Sequence, residues 1–204
     1  DLHSFPTRRS SDLPGYDTGG AEKRQLAEAL GVPGDHWERM IVMRKNLGVQ
    51  PALFPMPVLM VAAYDSNGKT NVMNAAWGQI SAMDKVALFI DEEHRTTKNI
   101  RETKAFTVSI ADLDHMAEAD FFGIATGNEM EDKFERTGFH QVRSAHVNAP
   151  IIEEFPVAME CELLEIVDTE NLHCVIGRIV GVSADERVLD SKGKVNLADR
   201  KSVV

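Results

Sequence analysis

Cysteine is scarce in this 204-residue chain: Cys161 and Cys174 are the only two, with no Cys-x-x-Cys and no histidine beside them at zinc spacing. That pattern excludes a thiolate zinc site. The 7 histidines are scattered along the chain, so no metal is assigned. Positive charge is also in deficit, with 22 Lys and Arg against 32 Asp and Glu and a formal net charge of −10. Such a balance argues against non-specific attraction to nucleic acid or to an anionic membrane surface. An anionic ligand would need a local basic site. No apolar run approaches the roughly 18 residues of a spanning helix, and nothing near the start reads as a signal peptide, which makes the cytoplasm the default location. Gly-x-Gly-x-x-Gly, a phosphate-binding loop ending in Gly-Lys-Ser/Thr, a Gly-x-Ser-x-Gly elbow and His-Glu-x-x-His are all missing. Nothing therefore demands a nucleophilic side chain, and no catalytic side chain is named.

Both ends have an artificial character. One DNA string encodes Asp199 to Val204 on its forward strand, and its reverse complement encodes Arg8-Arg9-Ser10-Ser11-Asp12. Residues 1–13 and 199–204 are therefore expected to be translated adapter, with the natural C-terminus lost. Residues 14–42 form an N-terminal extension that natural translation from Met40 or Met43 would omit. Within it Leu26 and Leu30 stand at helical spacing, and Gly31 closes a short amphipathic helix over Ala21 to Leu30. The length that remains, residues 43–198, suits one main domain.

From Pro57 onward the pattern is that of strands. Val58 to Tyr64 is aliphatic, Asp65-Ser66-Asn67-Gly68 is turn chemistry, and Lys69 to Asn74 continues extended, which predicts a hairpin. Val86 to Ile90 and Phe106 to Ile110 read as strands around a short helix over Thr97 to Lys104. Leu113 to Phe122 and Glu129 to Arg136 read as helices, the second stopped near Gly138. Val157 to Val167 and Leu172 to Val182 form a long hairpin around Asp168 to Asn171, in which Cys161 and Cys174 are offset and buried. Helices inserted among antiparallel strands give an α+β, mainly β, fold on a closed or partly closed barrel.

Three segments could carry chemistry. At Asn74-Ala75-Ala76-Trp77-Gly78 strand alternation stops, and two small residues would let a planar ligand approach the main chain beside Trp77. A strand exit with a buried tryptophan accounts for the same string equally well. At His94-Arg95-Thr96-Thr97-Lys98-Asn99 a helix start, hydroxyls and two cations make a phosphate cradle, or else an N-cap with a solvated basic pair. At Asp120 to Asn128 with Asp132-Lys133-Phe134, Gly123 and Gly127 suit a turning loop, while Phe121, Phe122 and Phe134 suit core packing. The run Asp91-Glu92-Glu93 reads as a solvated strand end rather than an acid–base pair.

Taken in order, Tyr64-Asp65, Asn74 to Gly78, His94 to Ile100 and Lys104-Ala105-Phe106-Thr107-Val108 resemble the flavin reductase-like family, in particular its flavoredoxin-type branch. Asp132-Lys133-Phe134, Ala149-Pro150 and Glu160-Cys161 fall where that family carries similar strings. The resemblance runs from about Met43 to Asn196. It implies a split β-barrel of antiparallel strands that dimerises and holds FMN near the subunit interface. By the same resemblance, Asn74, Ala75, Ala76 and Trp77 would face the flavin ring, and Arg95, Thr96, Thr97 and Lys98 would sit by its phosphate. The implied activity is hydride transfer from NADH or NADPH through FMN to a small-molecule or protein acceptor. An FMN-binding electron carrier reduced by a protein partner is the alternative. Family chains usually continue past Ala198 with a segment that closes the domain, so its absence would leave an edge or pocket wall exposed.

Overall fold

A strand buried on both faces requires a continuous apolar run, and Leu59–Tyr64 (β1) is one, with all six residues buried. In the computed structural model, which describes Gln25, Glu28, Ala29, Gly31 and residues 46–196, β1 sends alternate side chains to two cores. Leu59, Val61 and Ala63 join Val86, Leu88, Ile100, Phe106, Val108 and Val175 in one. Met60 and Ala62 join Val72, Phe122, Phe134, Ile152 and Phe155 in the other. The period-2 alternation of a strand thus makes β1 the wall between two hydrophobic layers.

The remaining strands are Thr70–Ala75 (β2), Gly78–Ala82 (β3), Lys85–Leu88 (β4), Ala105–Ile110 (β5), Gln141–Arg143 (β6), Pro150–Ile152 (β7), Val157–Thr169 (β8) and Leu172–Ala184 (β9). Seven of the nine form one sheet in the order β2-β1-β5-β8-β9-β4-β3, and β6 pairs with β7 separately. Every pairing is antiparallel. The edge strands β2 and β3 are joined by only Ala76 and Trp77, so the sheet must curl back on itself. A Cβ on Gly78 at the start of β3 would lie 2.8 Å from the Leu59 side chain of β1 and 2.8 Å from that of Leu88. The barrel closes by packing there, without a ladder between its two edges.

Two helices interrupt the strands: Arg95–Thr103 (α1) and Met116–Ile124 (α2). Only one apolar side chain of α1, Ile100, enters the barrel core, and Lys104 ends the helix in the left-handed region at φ 60°. The hairpin predicted around residues 65–68, the β8–β9 hairpin and the helix between β4 and β5 are all present. Cys161 faces Ile179 and Cys174 faces Val167, so the two are offset. Both are free and buried. Burial, then the neighbouring Glu160 charge, pushes the Cys161 thiol up to about 12, and burial raises Cys174 as well.

Two expectations need correction. Residues 129–136 do not form a helix but a series of turns ending in a 3₁₀ turn at Glu135–Thr137, stopped by Gly138 at φ 71°. Side-chain anchors override local propensity: Phe134 stacks on Phe122 at 6.3 Å, and Lys133 Nζ donates to the Phe122 carbonyl at 2.8 Å. Strand β3 was not foreseen; Gln79-Ile80-Ser81-Ala82 alternates polar and apolar residues, but over only four positions, and all four are exposed. Residues 1–52 make a unit of their own, and the elements above belong to residues 53–204. The helix expected over 21–30 lies largely outside the described residues; Gln25, Glu28 and Ala29 within it are helical. Among the described residues no helix is long and apolar enough to cross a membrane.

A buried carboxylate fixes the loop between β6 and β7. Glu160 on β8 is 3% exposed and accepts hydrogen bonds from the Ser144 hydroxyl and from His146, whose Nδ1 lies 3.0 Å away. Ser144 Oγ in turn accepts the N–H groups of His146 and Val147. Burial alone would raise the Glu160 pKa, but the bonds from Ser144 and His146 outweigh it and hold the group below its ordinary value of 4.5. A carboxyl depressed on folding contributes stability above the unfolded pKa and loses it as pH falls through the folded one. Glu160→Gln is therefore expected to flatten the fall in melting temperature below about pH 4.5. Acid limbs that superimpose for the two proteins would contradict this.

Candidate functional site

The three candidate segments converge on one cleft of about 950 Å³. Asn71 and Met73 to Trp77 line it from the end of β2, Asp91 and His94 to Thr96 from the start of α1, and Phe122 to Gly127 from the end of α2. Lys133 and the β8–β9 tip, Asn171 to His173, complete the wall. Its size is that of a small-molecule or cofactor site.

Two glycines let the α2 loop lie directly on β2. A Cβ on Gly123 would fall 2.3 Å from the Asn74 amide, and one on Gly127 would fall 2.2 Å from Asn71 Oδ1. Both asparagines are held: Asn74 Nδ2 donates to the Ala119 carbonyl at 3.1 Å, and Asn71 Nδ2 donates to Thr96 Oγ1 at 2.6 Å. Thr96, itself 1% exposed, accepts in that bond and borders the cleft.

One end of the cleft is polar and cationic. His94 precedes α1 with no side-chain cap, and the first turn holds no acidic residue. The helix start therefore keeps its dipole and amide donors for an anion. Arg95 leans on Asp65 at 3.4 Å and remains 42% exposed. For Asp65, burial acts to raise the pKa, while the Lys69 and Asn67 amides and Arg95 together hold it below the ordinary value. The other end is apolar, with Trp77 and Phe89 exposed toward solvent and the Phe89 N–H donating to the Trp77 carbonyl at 2.8 Å; Ile124 and Leu172 add exposed apolar lining.

Of the eight expected ligand residues, Asn74, Ala75, Ala76, Trp77, Arg95 and Thr96 line the cleft, and Thr97 and Lys98 do not. Thr97 is buried behind α1 and donates its hydroxyl to the Asp91 carbonyl at 2.7 Å. Lys98 points outward to Glu93 at 2.9 Å. The tip residues Asn171, Leu172 and His173 were missed, because a turn signal says nothing of what the turn will cover. Asp168 ties this tip down: it bonds His173 Nδ1 at 2.7 Å and pairs with Arg101 at 3.7 Å. The neighbouring Asp168 carboxyl holds Glu92 above its ordinary pKa, while Glu92 and His173 hold Asp168 below its own. Glu92 remains half exposed and 3.9 Å from Arg101, as a solvated strand end would be. Among the described residues no cluster of His, Cys, Asp and Glu is arranged to hold a metal ion.

Residues 52–200 match the family model described as a flavin reductase like domain. The chain belongs to the flavin reductase-like family. Flavoredoxin of Desulfovibrio vulgaris (Miyazaki F) is 33% identical, with 76% of this chain and 83% of that one covered and a TM-score of 0.71. That likeness puts this flavin reductase-like chain in the flavoredoxin-type branch. A Shewanella frigidimarina protein with a split barrel domain is 21% identical over 70% of this chain and 73% of that one, with a TM-score of 0.63. The curled sheet is accordingly the split barrel expected. An uncharacterized protein of Aquifex aeolicus is 25% identical over 152 residues, 70% of this chain and 76% of its own.

Proposed function

We propose that this flavin reductase-like chain is an FMN-binding oxidoreductase that takes hydride from NADH or NADPH and passes the electrons to an acceptor. The observation that carries the reading is the convergence of Asn74 to Trp77 and of Arg95 and Thr96 on one cleft with a cationic end and an apolar end. Those ends match a phosphate and a planar ring. The residues fit the group: the first-turn amides of α1 and Arg95 offer donors to a dianion, and Gly127 leaves room beside them. Thr97 enters by holding the Asp91 carbonyl behind the helix start, while Lys98 is paired with Glu93 outside the cleft. At the other end Ala75 and Ala76 bring the main chain within reach of a ring edge, and exposed Trp77 covers apolar surface.

FMN, when bound, supplies the hydride and electron chemistry, and the protein positions it and tunes it. No acid–base side chain is required of the chain for that step. The working form in this reading is a homodimer, supported by the exposed apolar side chains Ile80, Met83, Val180 and Val182. The acceptor is a small molecule or a protein. A second reading, an FMN electron carrier reduced by a protein partner, is favoured by the 33% identity to flavoredoxin.

One spectrum separates these. The purified chain with FMN is recorded without oxygen before and after NADPH and then NADH. Bleaching of the flavin bands is the expected result. Bands that persist with both nicotinamides point to the carrier, and a chain that cannot take up FMN overturns both readings.

A further inference from the structure

Lys133 carries a charge that nothing in the described chain neutralises. Its residue is 3% exposed, and its ammonium donates to the Phe122 carbonyl at 2.8 Å and stands 5.9 Å from the Phe122 ring centre. Among the described residues no carboxylate pairs with it. A buried cation without a partner is costly, and desolvation brings this one down to about 8. Yet Lys133 lines the cleft, so an anionic group bound there would supply the missing charge.

Its place along β2 says which group. The helix start at Thr96 is bonded to Asn71. Lys133 is bonded instead to Phe122, whose neighbour Gly123 packs on Asn74. Asn71 and Asn74 are three strand residues apart, about 10 Å. Lys133 is thus bonded at the Asn74 level, one three-residue step along β2 from the residue that holds the helix start. Oxidised flavin presents a neutral ring at that level. Two electrons and one proton, delivered by a nicotinamide, a protein donor or dithionite, leave the ring with one net negative charge.

We propose that Lys133 is the counter-ion for the negative charge that the FMN ring gains on reduction, so that the cleft holds reduced FMN more tightly than it would without this lysine. The inference rests on the FMN reading above. A competing role is purely structural, since a lysine on the last carbonyls of α2 also caps that helix. A cap does not distinguish the oxidation states of a ligand.

The experiment uses the full chain, FMN, dithionite and a reference dye. The dissociation constant for oxidised FMN is read by fluorescence quenching, and the midpoint potential by equilibrium reduction. Lys133→Gln keeps a donor for the Phe122 carbonyl and removes the charge; Lys133→Met removes both and fills the space. Both variants are expected to lower the preference for reduced over oxidised FMN about tenfold, a two-electron midpoint about 30 mV more negative. A midpoint unchanged in Lys133→Gln, or equal weakening of both oxidation states, overturns the assignment while leaving the FMN reading in place. An unmodified chain that takes up no FMN overturns the two together.

Discussion

Phe106→Ala is expected to destabilise the folded chain by about 3–5 kcal/mol, the range for removing a fully enclosed aromatic ring. Phe106 is 0% exposed and lies opposite Cys161 in the β5–β8 ladder. Its ring reaches across to β9, where a Cβ on Gly177 would stand 2.4 Å from Phe106 Cζ and 3.3 Å from Cys161 Cβ. Gly177 is thus the seat that the ring occupies. The hole left by alanine collapses poorly, because β8 is laddered to β5 on one side and to β9 on the other. A whole domain is stable by only about 5–15 kcal/mol, so this one change removes much of the total. The check is a denaturant titration in which the midpoint falls and the slope stays constant. The geometry also fixes a coupling: Gly177→Ala should cost about 1–3 kcal/mol by overpacking in the parent and much less in the Phe106→Ala background. Equal costs in the two backgrounds would mean that the ring does not sit there.

The parts of this fold that could be read from sequence are those whose local pattern and tertiary fate agree. Leu59–Tyr64 reads as a buried strand because both of its faces meet apolar layers. The turn at residues 65–68 reads as a turn because the Asp65 carboxylate accepts the Asn67 and Lys69 amides and Gly68 sits at φ 81°. Where tertiary contacts rule, the pattern misleads. Residues 129–136 have good helix formers, yet Lys133 and Phe134 are each drawn to α2. In the cleft, the end of β2 and the start of α1 carried recognisable chemistry within a few residues each. The hairpin tip and Lys133 did not. The tip, Asn171 to His173, reaches the cleft through the course of β8, whose ladder with β9 shifts register between Glu160 and Cys161 and again between Leu163 and Glu165. Such bulges bend a strand without a clear mark in composition. A lysine, in turn, is almost never fully buried, so its sequence context gives no warning of an enclosed charge. Thr97 and Lys98 stood in a cradle-like string, but helical geometry turns them away from the side that Arg95 and Thr96 present.

Gly127→Val is expected to weaken FMN binding about 10–100-fold, through the cationic end of the cleft alone. The added Cβ would lie 2.2 Å from Asn71 Oδ1 and 3.2 Å from Arg95 Cβ. Asn71 is 9% exposed and cannot swing away without giving up Thr96, its partner at 2.6 Å. If the asparagine yields, buried polar groups lose their bond at about 1–3 kcal/mol. If instead the 123–127 loop backs away from β2, the wall beside Arg95 opens and the donors lose their alignment. Either response costs on the order of 1.4 kcal/mol for each tenfold in affinity. Titration of the variant with FMN reads the loss directly, and Asn71→Ala in the same chain should recover part of it by making room. Affinity equal to the parent would mean that this loop does not bound the ligand. Since a phosphate keeps its charge in both oxidation states of the ring, the midpoint potential should stay where it was. A midpoint that moved with the affinity would show instead that the two ends of the cleft act on the same part of the ligand, and the separation of Arg95 from Lys133 would fall with it.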